Sequence, residues 1–380
     1  MTMKKFLSYS LPSIGLEEIK AVNKVLKSGW LTMGPETKLF EQQFARYTGA
    51  KSAIVVNSCT GALHLSLLAL GIGRGDEVIT SVYTFAATIN VIIQVGAKPV
   101  LVDIDKKTYN IDPSKIEAVI TRKTRAIIPV HFAGQPCDQK KIAKIAKKNK
   151  LYIVEDAAHA LGSEYQGKRI GTFGDTTCFS FYATKNITTG DGGAITTNNE
   201  KLADKIKTLR LHGFDKDAWK RYSDKGNWYY EIKDCGWKYN LTDLQSAIGI
   251  CQLKKLDKLN AIRKKYALLY YHGLASIKGI ELPFIDPNVK LNYHLYPILL
   301  TTYNRNKFIT GMAQQGIGCS VHFIPAYLHP YYQKTLMIKA KSYPNAQWVY
   351  EREVSLPLYP KMKTEDVNYV IRTIKKVLQQ

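Results

Sequence analysis

The chain has 380 residues, 45% of them hydrophobic, which is enough to bury a large core and to form one large and one smaller domain. No apolar run approaches membrane-spanning length, and no signal-peptide stretch follows the basic start, so we expect a cytoplasmic protein without a membrane partner. The formal net charge of +23 admits a nucleic-acid binder. However, no helix-turn-helix, zinc-finger or RNP-type motif accompanies it, and the lysines follow solvated helix faces, so we expect no nucleic-acid partner.

Strand-like and helical patterns alternate along the first half of the chain. The predicted strands are 52–56, 77–82, 98–103, 125–131, 151–155, 176–182 and 193–197. The predicted helices between them include 60–70, 85–95, 113–120 and 138–149. Alternation of this kind predicts a mostly parallel sheet with helices on both faces.

The second half begins with a predicted long helix over about 241–272, followed by a smaller α+β domain. No composition break marks a boundary, and we divide the chain into a large α/β domain (1–250) and a smaller C-terminal domain (251–380). The segment 213–238 is aromatic, charged and aperiodic. Loops this long are usually functional or mobile, although an ordinary surface excursion is the alternative.

Two strand ends carry groups suited to a flat, phosphorylated ligand. After strand 52–56, a polar turn leads into a helix that opens at Thr60 or Gly61, and the free amides and dipole of a helix start suit a phosphate. After the next strand comes an aromatic pair, Tyr83 and Phe85, and an aromatic face is the expected cover for a heteroaromatic ring. Core packing is the alternative for the aromatic pair.

Asp156 follows an apolar strand at its carboxyl end, where open α/β sheets bind ligands. An ionised carboxylate there can pair with a protonated pyridine nitrogen and make the ring an electron sink. The alternative is that Asp156 only caps the next helix.

Lys185 lies where a buried strand ends and a polar, glycine-bearing turn begins. Poor solvation lowers the pKa of such an amine, which can then attack an aldehyde and hold it as a Schiff base. The alternative is an ordinary loop lysine before a hairpin turn.

The six cysteines are scattered and form no C-x-x-C pair, which argues against a zinc site or a redox motif. We therefore predict no metal and reduced thiols in the cytosol. Cys59 lies in the predicted phosphate turn without an expected chemical role.

Lysine, ring-nitrogen acid, phosphate-binding helix start and stacking aromatic are the parts of a pyridoxal phosphate site. Their order closely resembles the DegT/DnrJ/EryC1/StrS family of sugar aminotransferases from about Ser10 to Pro360. Landmarks are Gly71–Ile79, His131–Pro136, Tyr239–Gln245 and His294–Tyr296. The resemblance implies a fold type I (aspartate aminotransferase-like) α/β architecture, with a mostly parallel seven-stranded sheet in the large domain and a smaller C-terminal α+β domain.

The resemblance also implies roles around the cofactor ring. Lys185 matches the lysine that binds pyridoxal 5'-phosphate covalently and moves the proton between cofactor and substrate carbons. Asp156 matches the acid at the pyridine nitrogen, and His159 the residue beside the phenolic oxygen. Phe85 matches the stacking aromatic.

Further implied roles concern the phosphate. Thr60 and Gly61 match phosphate-binding amides, and Ser180 matches a phosphate-binding hydroxyl. Asn240 matches the asparagine that reaches the phosphate of the neighbouring subunit, which implies an obligate homodimer with composite active sites. In related enzymes the stretch matching 213–238 reaches across the dimer, so we interpret it as an interface and active-site loop.

The reaction implied is ping-pong transamination from L-glutamate to a nucleotide-linked keto sugar, for a surface polysaccharide, lipid A or another glycan. Lys185 argues against the dehydratase branch, which has a histidine there. The turn 185–193 resembles relatives that aminate carbon 4, which favours a UDP- or dTDP-4-keto-6-deoxyhexose or a UDP-4-keto-pentose. The alternatives are a carbon-3 keto-sugar or cyclitol aminotransferase and, from another class, a basic regulatory or nucleic-acid-binding protein.

Overall fold

The structure is a computed structural model that describes residues 6–214 and 229–379. Its strands are β1 (Ser52–Val56), β2 (Glu77–Ser81), β3 (Lys98–Val102), β4 (Thr124–Ile128), β5 (Tyr152–Asp156), β6 (Glu164–Tyr165), β7 (Lys168–Arg169), β8 (Thr176–Ser180), β9 (Gly193–Thr197), β10 (Ile280–Glu281), β11 (Val289–Lys290), β12 (Tyr296–Leu300) and β13 (Glu353–Leu356). Its α-helices are α1 (Leu16–Ser28), α2 (Pro35–Thr48), α3 (Cys59–Ala69), α4 (Ala86–Gln94), α5 (Gln139–Asn149), α6 (Glu200–Arg210), α7 (Asp243–Leu274), α8 (Arg305–Gln314), α9 (Pro330–Leu336), α10 (Pro344–Tyr350) and α11 (Thr364–Val377).

Seven strands form one sheet in the order β1–β9–β8–β5–β4–β2–β3. The pairs from β8 to β3 are parallel, whereas β9 runs antiparallel to both β1 and β8. The predicted mostly parallel seven-stranded sheet is therefore confirmed. Since β4, β5 and β8 are parallel neighbours, their carboxyl ends meet at one edge of the sheet, where ligands bind in open α/β folds.

Helices cover the sheet as the periodicity predicted, with one exception. In α5, Ile142 and Ile145 are buried while the lysines face solvent, which is the pattern of an amphipathic surface helix. The predicted helix 113–120 is wrong as a continuous helix, because the chain forms two 3₁₀ turns, Pro113–Lys115 and Glu117–Val119. Only one-turn hydrogen bonds form there, and the backbone is already extended at Ile120.

The long helix α7 connects two hydrophobic cores. It begins with a capping box between Thr242 and Gln245, a signal visible in the sequence. Leu253 and Leu256 pack under the large sheet, whereas Tyr266 and Tyr270 pack against β12, β13, α8 and α11. Because the helix runs through residue 250 without a break, the division between 1–250 and 251–380 stays a prediction.

The second core belongs to a three-stranded antiparallel sheet in the order β10–β12–β13. Helices α8 and α11 pack on it, which gives the C-terminal part the predicted α+β character. Another small antiparallel sheet, β11–β6–β7, consists of two-residue strands and had no signal in the sequence. Residues 215–228 of the predicted loop 213–238 lie outside the described residues. In residues 6–214 and 229–379, no helix has the length and apolar character needed to cross a membrane.

Candidate active site

A cavity of about 600 Å³ opens at the carboxyl edge of the large sheet. Six of the eight residues predicted to form the site line it, namely Thr60, Phe85, Asp156, His159, Ser180 and Lys185. Gly61 and Asn240 do not line it. The wall is completed by residues from distant parts of the chain, including Tyr9, His294, His322 and Phe323.

Lys185 ends a short turn after β8, in which its backbone N–H donates to the Tyr182 carbonyl at 2.9 Å. Burial lowers the pKa of Lys185 to about 8, although the acidic groups of Cys59 and Asp156 act in the opposite direction. Since the ordinary lysine pKa lies near 10.5, an appreciable fraction of the amine is neutral and nucleophilic near pH 7.5. Lys185 is half-buried and lines the cavity, which an ordinary loop lysine would not do.

The residue after Lys185 anchors the turn from behind. The Asn186 amide donates to Asn260 Oδ1 at 2.7 Å, and Asn186 Oδ1 lies 2.8 Å from His294 Nδ1. The Asn292 amide in turn donates to the His159 carbonyl at 2.7 Å. These contacts connect the lysine turn to two histidines of the cavity wall and fix their relative positions.

Asp156 is the last residue of β5 and is buried. Its Oδ2 accepts a 2.8 Å hydrogen bond from Thr88 Oγ1, and its Oδ1 accepts one of 3.1 Å from the Ala158 N–H. Burial raises the pKa of Asp156, while these two bonds and the charge of Lys185 lower it. The helix-capping alternative is wrong, because the residues after Asp156 form turns rather than a helix.

His159 presents an unpartnered nitrogen. Its Nδ1 is buried and has no hydrogen-bond partner among the described residues. Burial, together with the positive charge of Lys185, holds the pKa of His159 well below its usual value, so the ring is neutral. The ring lies 4.3 Å from His294 and 5.6 Å from Phe323, measured between centroids. Such an orphaned nitrogen in a cavity wall fits a ligand oxygen.

The turn before α3 forms a cradle at the helix start. Ser58 Oγ caps α3 by accepting the Gly61 N–H at 3.0 Å, so the Gly61 amide is already engaged. Cys59 and Thr60 precede it in the first turn, where amides lack intrahelical partners and suit an anion. A Cβ built on Gly193 would lie 2.7 Å from Cys59 N, so only glycine lets β9 approach this turn.

The two residues of the aromatic pair, Tyr83 and Phe85, lie in different environments. Tyr83 is 1% exposed and belongs to the hydrophobic core, as the packing alternative predicted. Phe85 is 62% exposed and lines the cavity, its ring 6.1 Å from that of Phe323. An exposed aromatic face beside a polar site is available for stacking on a flat ligand.

Two remaining predicted positions concern the phosphate. Ser180 ends β8, lines the cavity and accepts the Tyr182 N–H at 3.3 Å. Asn240 bridges to Val56 through its backbone, and its side chain donates to the Leu241 carbonyl. Its position near β1 but outside the cavity lining of its own chain leaves its role toward a partner subunit a prediction.

Sequence reasoning missed the part of the wall formed by Tyr9, His294, His322 and Phe323. These residues reach the cavity only through long-range packing, so no local spacing connects them with Lys185. The signal that the sequence did offer was His294, which lies in the family landmark His294–Tyr296. The structure alone shows that three of the eight histidines, at 159, 294 and 322, line one cavity.

The described residues fit pyridoxal phosphate. One cavity is surrounded by five suitable groups: an amine with a lowered pKa, a carboxylate, an unpartnered imidazole nitrogen, an exposed aromatic ring and a helix start. When bound, the cofactor supplies an electron-withdrawing ring that stabilises negative charge on a substrate carbon. Between residues 6 and 214 and between 229 and 379, no group of three or more His, Cys, Asp or Glu side chains is arranged to hold a metal ion.

Comparisons with known proteins agree with this geometry. The model of the DegT/DnrJ/EryC1/StrS aminotransferase family matches residues 12–375. The spore coat polysaccharide biosynthesis protein SpsC of Bacillus subtilis (strain 168) is 49% identical over 379 residues, covering 98% of this chain and 97% of SpsC.

Solved structures of sugar aminotransferases superpose closely on this chain. The putative sugar aminotransferase Spr1654 from Streptococcus pneumoniae, in its PMP-form, superposes with a TM-score of 0.93 at 36% identity, covering 98% of this chain and 99% of that one. Its PLP-form gives a TM-score of 0.92 at 35% identity, with the same coverage. PseC of Helicobacter pylori, an aminotransferase involved in the biosynthesis of pseudoaminic acid, gives 0.90 at 34% identity, covering 99% and 100%.

These matches span nearly the whole chain, and they confirm the predicted fold type I architecture and pyridoxal phosphate as the cofactor. The chain therefore belongs to the DegT/DnrJ/EryC1/StrS aminotransferase family.

Proposed function

We propose that this protein transfers an amino group from L-glutamate to a nucleotide-linked 4-keto sugar in two half-reactions at one pyridoxal phosphate site. The observation that carries the proposal is the single cavity lined by Lys185, by Asp156, whose charge acts on that lysine, and by the exposed ring of Phe85. Among the relatives, SpsC is named for polysaccharide biosynthesis and PseC for pseudoaminic acid, which supports a sugar acceptor.

In this proposal each side chain has a defined task. The Nζ of Lys185 holds the cofactor and, when released, carries a proton to and from the reacting carbon, as its lowered pKa permits. Asp156, oriented by Thr88, keeps its negative charge against the ring nitrogen. The orphaned Nδ1 of His159 would be available to the phenolic oxygen of the cofactor, and the start of α3 together with Ser180 would hold its phosphate.

The sugar is proposed to lie between the cofactor and the part of the wall formed by His294, His322 and Phe323. Tyr9, Tyr182, His294 and His322 line the cavity and offer hydroxyl and imidazole groups. Burial holds the pKa values of both histidines below their usual range, to about 4 for His322, so they act as neutral hydrogen-bonding groups near pH 7. Neutral polar groups beside aromatic rings suit the hydroxyls and apolar faces of a hexose or pentose.

We also propose a homodimer in which Asn240 completes the phosphate site of the partner. An apolar face of α1 supports a second copy, since Leu16, Ile19 and Leu26 are 72%, 57% and 52% exposed. Residues of this face line a groove with Ala183 and Gly190, which flank the lysine turn. A partner seated there would lie next to the active site. The six free cysteines agree with a cytoplasmic location.

The test is a transfer assay with purified holoenzyme and [15N]glutamate. A panel of UDP- and dTDP-linked 4-keto sugars, 3-keto sugars and keto cyclitols is analysed by mass spectrometry, and the aminated carbon is located by NMR. We expect 15N on carbon 4 of a nucleotide sugar, complete loss with Lys185→Ala, and no loss with the surface control Lys141→Ala.

Other outcomes distinguish the alternatives. If the 15N label appeared on carbon 3 or on a cyclitol, the proposed substrate class would be wrong and the proposed transamination would still hold. No labelled product, combined with salt-dependent DNA binding by the protein, would contradict the enzyme assignment and favour the basic-regulator alternative.

A further inference from the structure

A buried carboxyl group without a counter-ion lies behind the part of the cavity wall that contains His322. Glu353, in β13, is 0% exposed, and no cation among the described residues lies within ion-pair distance of it. Its contacts are with neutral groups, because Oε2 accepts the His322 backbone N–H at 2.8 Å and Oε1 lies 2.5 Å from the Ser355 hydroxyl oxygen. An unpaired buried charge is costly, so such a carboxyl group holds its proton.

A chain of hydrogen bonds connects Glu353 with the cavity. Ser355 Oγ lies 2.9 Å from His322 Nδ1, and the His322 ring lines the cavity. Its other nitrogen, Nε2, makes no hydrogen bond with any residue that the structure describes, and it is therefore the nitrogen left for a ligand. Tyr9 also makes a side-chain contact with Ser355 and so belongs to the same group of residues.

The protonation state of Glu353 determines the direction of the hydrogen bonds from Glu353 through Ser355 to His322. A protonated Glu353 donates to Ser355 Oγ, the serine hydroxyl then donates to His322 Nδ1, and the neutral ring carries its proton on Nε2. An ionised Glu353 only accepts, so the serine donates to it and accepts from Nδ1–H, which leaves a bare lone pair on Nε2. The protonation state of a residue outside the cavity thus decides whether His322 donates or accepts inside it.

We propose that Glu353 and Ser355 are positioning residues that hold His322 as the Nε2–H tautomer at neutral pH, so that it donates to an oxygen of the sugar substrate. The identity of that ligand rests on the proposed function, whereas the hydrogen-bond chain does not. The carbonyl oxygen of a keto sugar is an acceptor only, so the donor tautomer recognises it and the acceptor tautomer does not.

The surroundings of Glu353 agree with this assignment. Burial raises its pKa to about 8, while Ser355, the His322 N–H and the charge of Arg305 act in the opposite direction. The titratable groups that face it from other elements are Tyr9, Tyr83, Tyr109, Arg305, Cys319 and His322. The tyrosines and the cysteine have raised pKa values and stay neutral, so Glu353 is the group among these that titrates near pH 8. Lys185, whose charge acts on His322, is held by the cofactor in the holoenzyme.

The test is ring-15N histidine NMR of the holoenzyme, with the His322 signal identified by its loss in His322→Gln. We expect the Nε2–H tautomer at pH 7 and its conversion to Nδ1–H as the pH rises through about 8. Glu353→Gln, whose amide donates to Ser355 as the protonated acid does, should keep Nε2–H up to pH 9.5. Glu351→Gln, an exposed control two residues earlier, should behave as the wild type.

Ser355→Ala should interrupt the chain and abolish the conversion, and Ser355→Thr should restore it. An Nδ1–H tautomer at pH 7, or an unchanged conversion in Glu353→Gln, would overturn the inference whether or not the sugar is the substrate.

Kinetics with the keto sugar test the remaining part of the inference. The ratio of kcat/KM for Glu353→Gln to that for the wild type should rise at least tenfold from pH 7 to pH 9.5, because only the variant keeps its donor. A constant ratio despite the expected NMR result would show that His322 does not contact the sugar oxygen. Absence of any transamination, with the tautomer conversion intact, would instead refute the proposed function together with the ligand assigned to Nε2.

Discussion

The lowered pKa of Lys185 leads to a quantitative prediction about its reactivity in the cofactor-free protein. At pH 7.5, an amine with a pKa of about 8 is roughly 25% neutral, whereas an amine with the ordinary value of 10.5 is about 0.1% neutral. If nucleophilicity follows the neutral fraction, burial makes Lys185 on the order of 200-fold more available than an ordinary lysine.

The assay is trace acetylation with acetic anhydride between pH 6 and pH 11, with each lysine quantified by peptide mass spectrometry. The acetylation rate of Lys185 should level off above about pH 8. Lys141, an exposed helix lysine whose pKa is raised by Asp138, provides a comparison within the same digest and should keep reacting faster up to the highest pH. Pyridoxal phosphate should protect Lys185 and leave Lys141 unaffected.

A variant tests the cause of the shift. The negative charge of Asp156 raises the pKa of Lys185 against the effect of burial, so Asp156→Asn should move the plateau to lower pH. A Lys185 rate that climbs tenfold per pH unit past pH 9.5, in parallel with Lys141, would refute the argument that burial governs this amine.

Three further predictions concern the site and its support. Asp156→Asn should keep the fold but lower turnover at least a hundredfold, because the uncharged amide does not hold the ring nitrogen protonated; near-normal transamination would assign that task elsewhere. Lys185→Ala and Asn240→Ala subunits, each inactive alone, should regain activity in mixed dimers, since one site is then free of both changes; no recovery in verified heterodimers would contradict a composite site. Between pH 4.5 and about 8 folded Glu353 keeps a proton that the unfolded chain has lost, so the stability of the wild type should fall with rising pH, by up to about 5 kcal/mol relative to Glu353→Gln. Urea unfolding at pH 6 and pH 9.5 measures the part of this difference that develops between those two pH values, about 3 kcal/mol, and a pH-independent difference would show that Glu353 does not titrate there.

The large sheet was predictable because each strand is a short apolar run with clear boundaries. The strand predicted over 125–131 ends earlier, at Ile128, since Pro129 has no N–H to donate to the sheet. The helix predicted over 113–120 is instead two 3₁₀ turns, and the proline at its start gave no warning of this, because helices accept proline at their first position. Two-residue strands such as β6 and β7 are too short for any periodic signal.

The site was predictable where its residues directly follow strands. Asp156, Ser180 and Lys185 lie at or just after the carboxyl ends of β5 and β8, and the resemblance supplied their roles. His322 and Glu353 were not predictable, because the contact between them depends on how Ser320 pairs with Ser355, which lie far apart in the sequence. Burial and proton sharing, which determine what such groups do, have no counterpart in local sequence.

Borohydride reduction of the holoenzyme, followed by peptide mapping, tests the assignment of the active site most directly. We expect one reduced cofactor per chain, attached to Lys185 and absent from Lys185→Ala. A cofactor attached to any other lysine would contradict the assignment of this cavity as the active site.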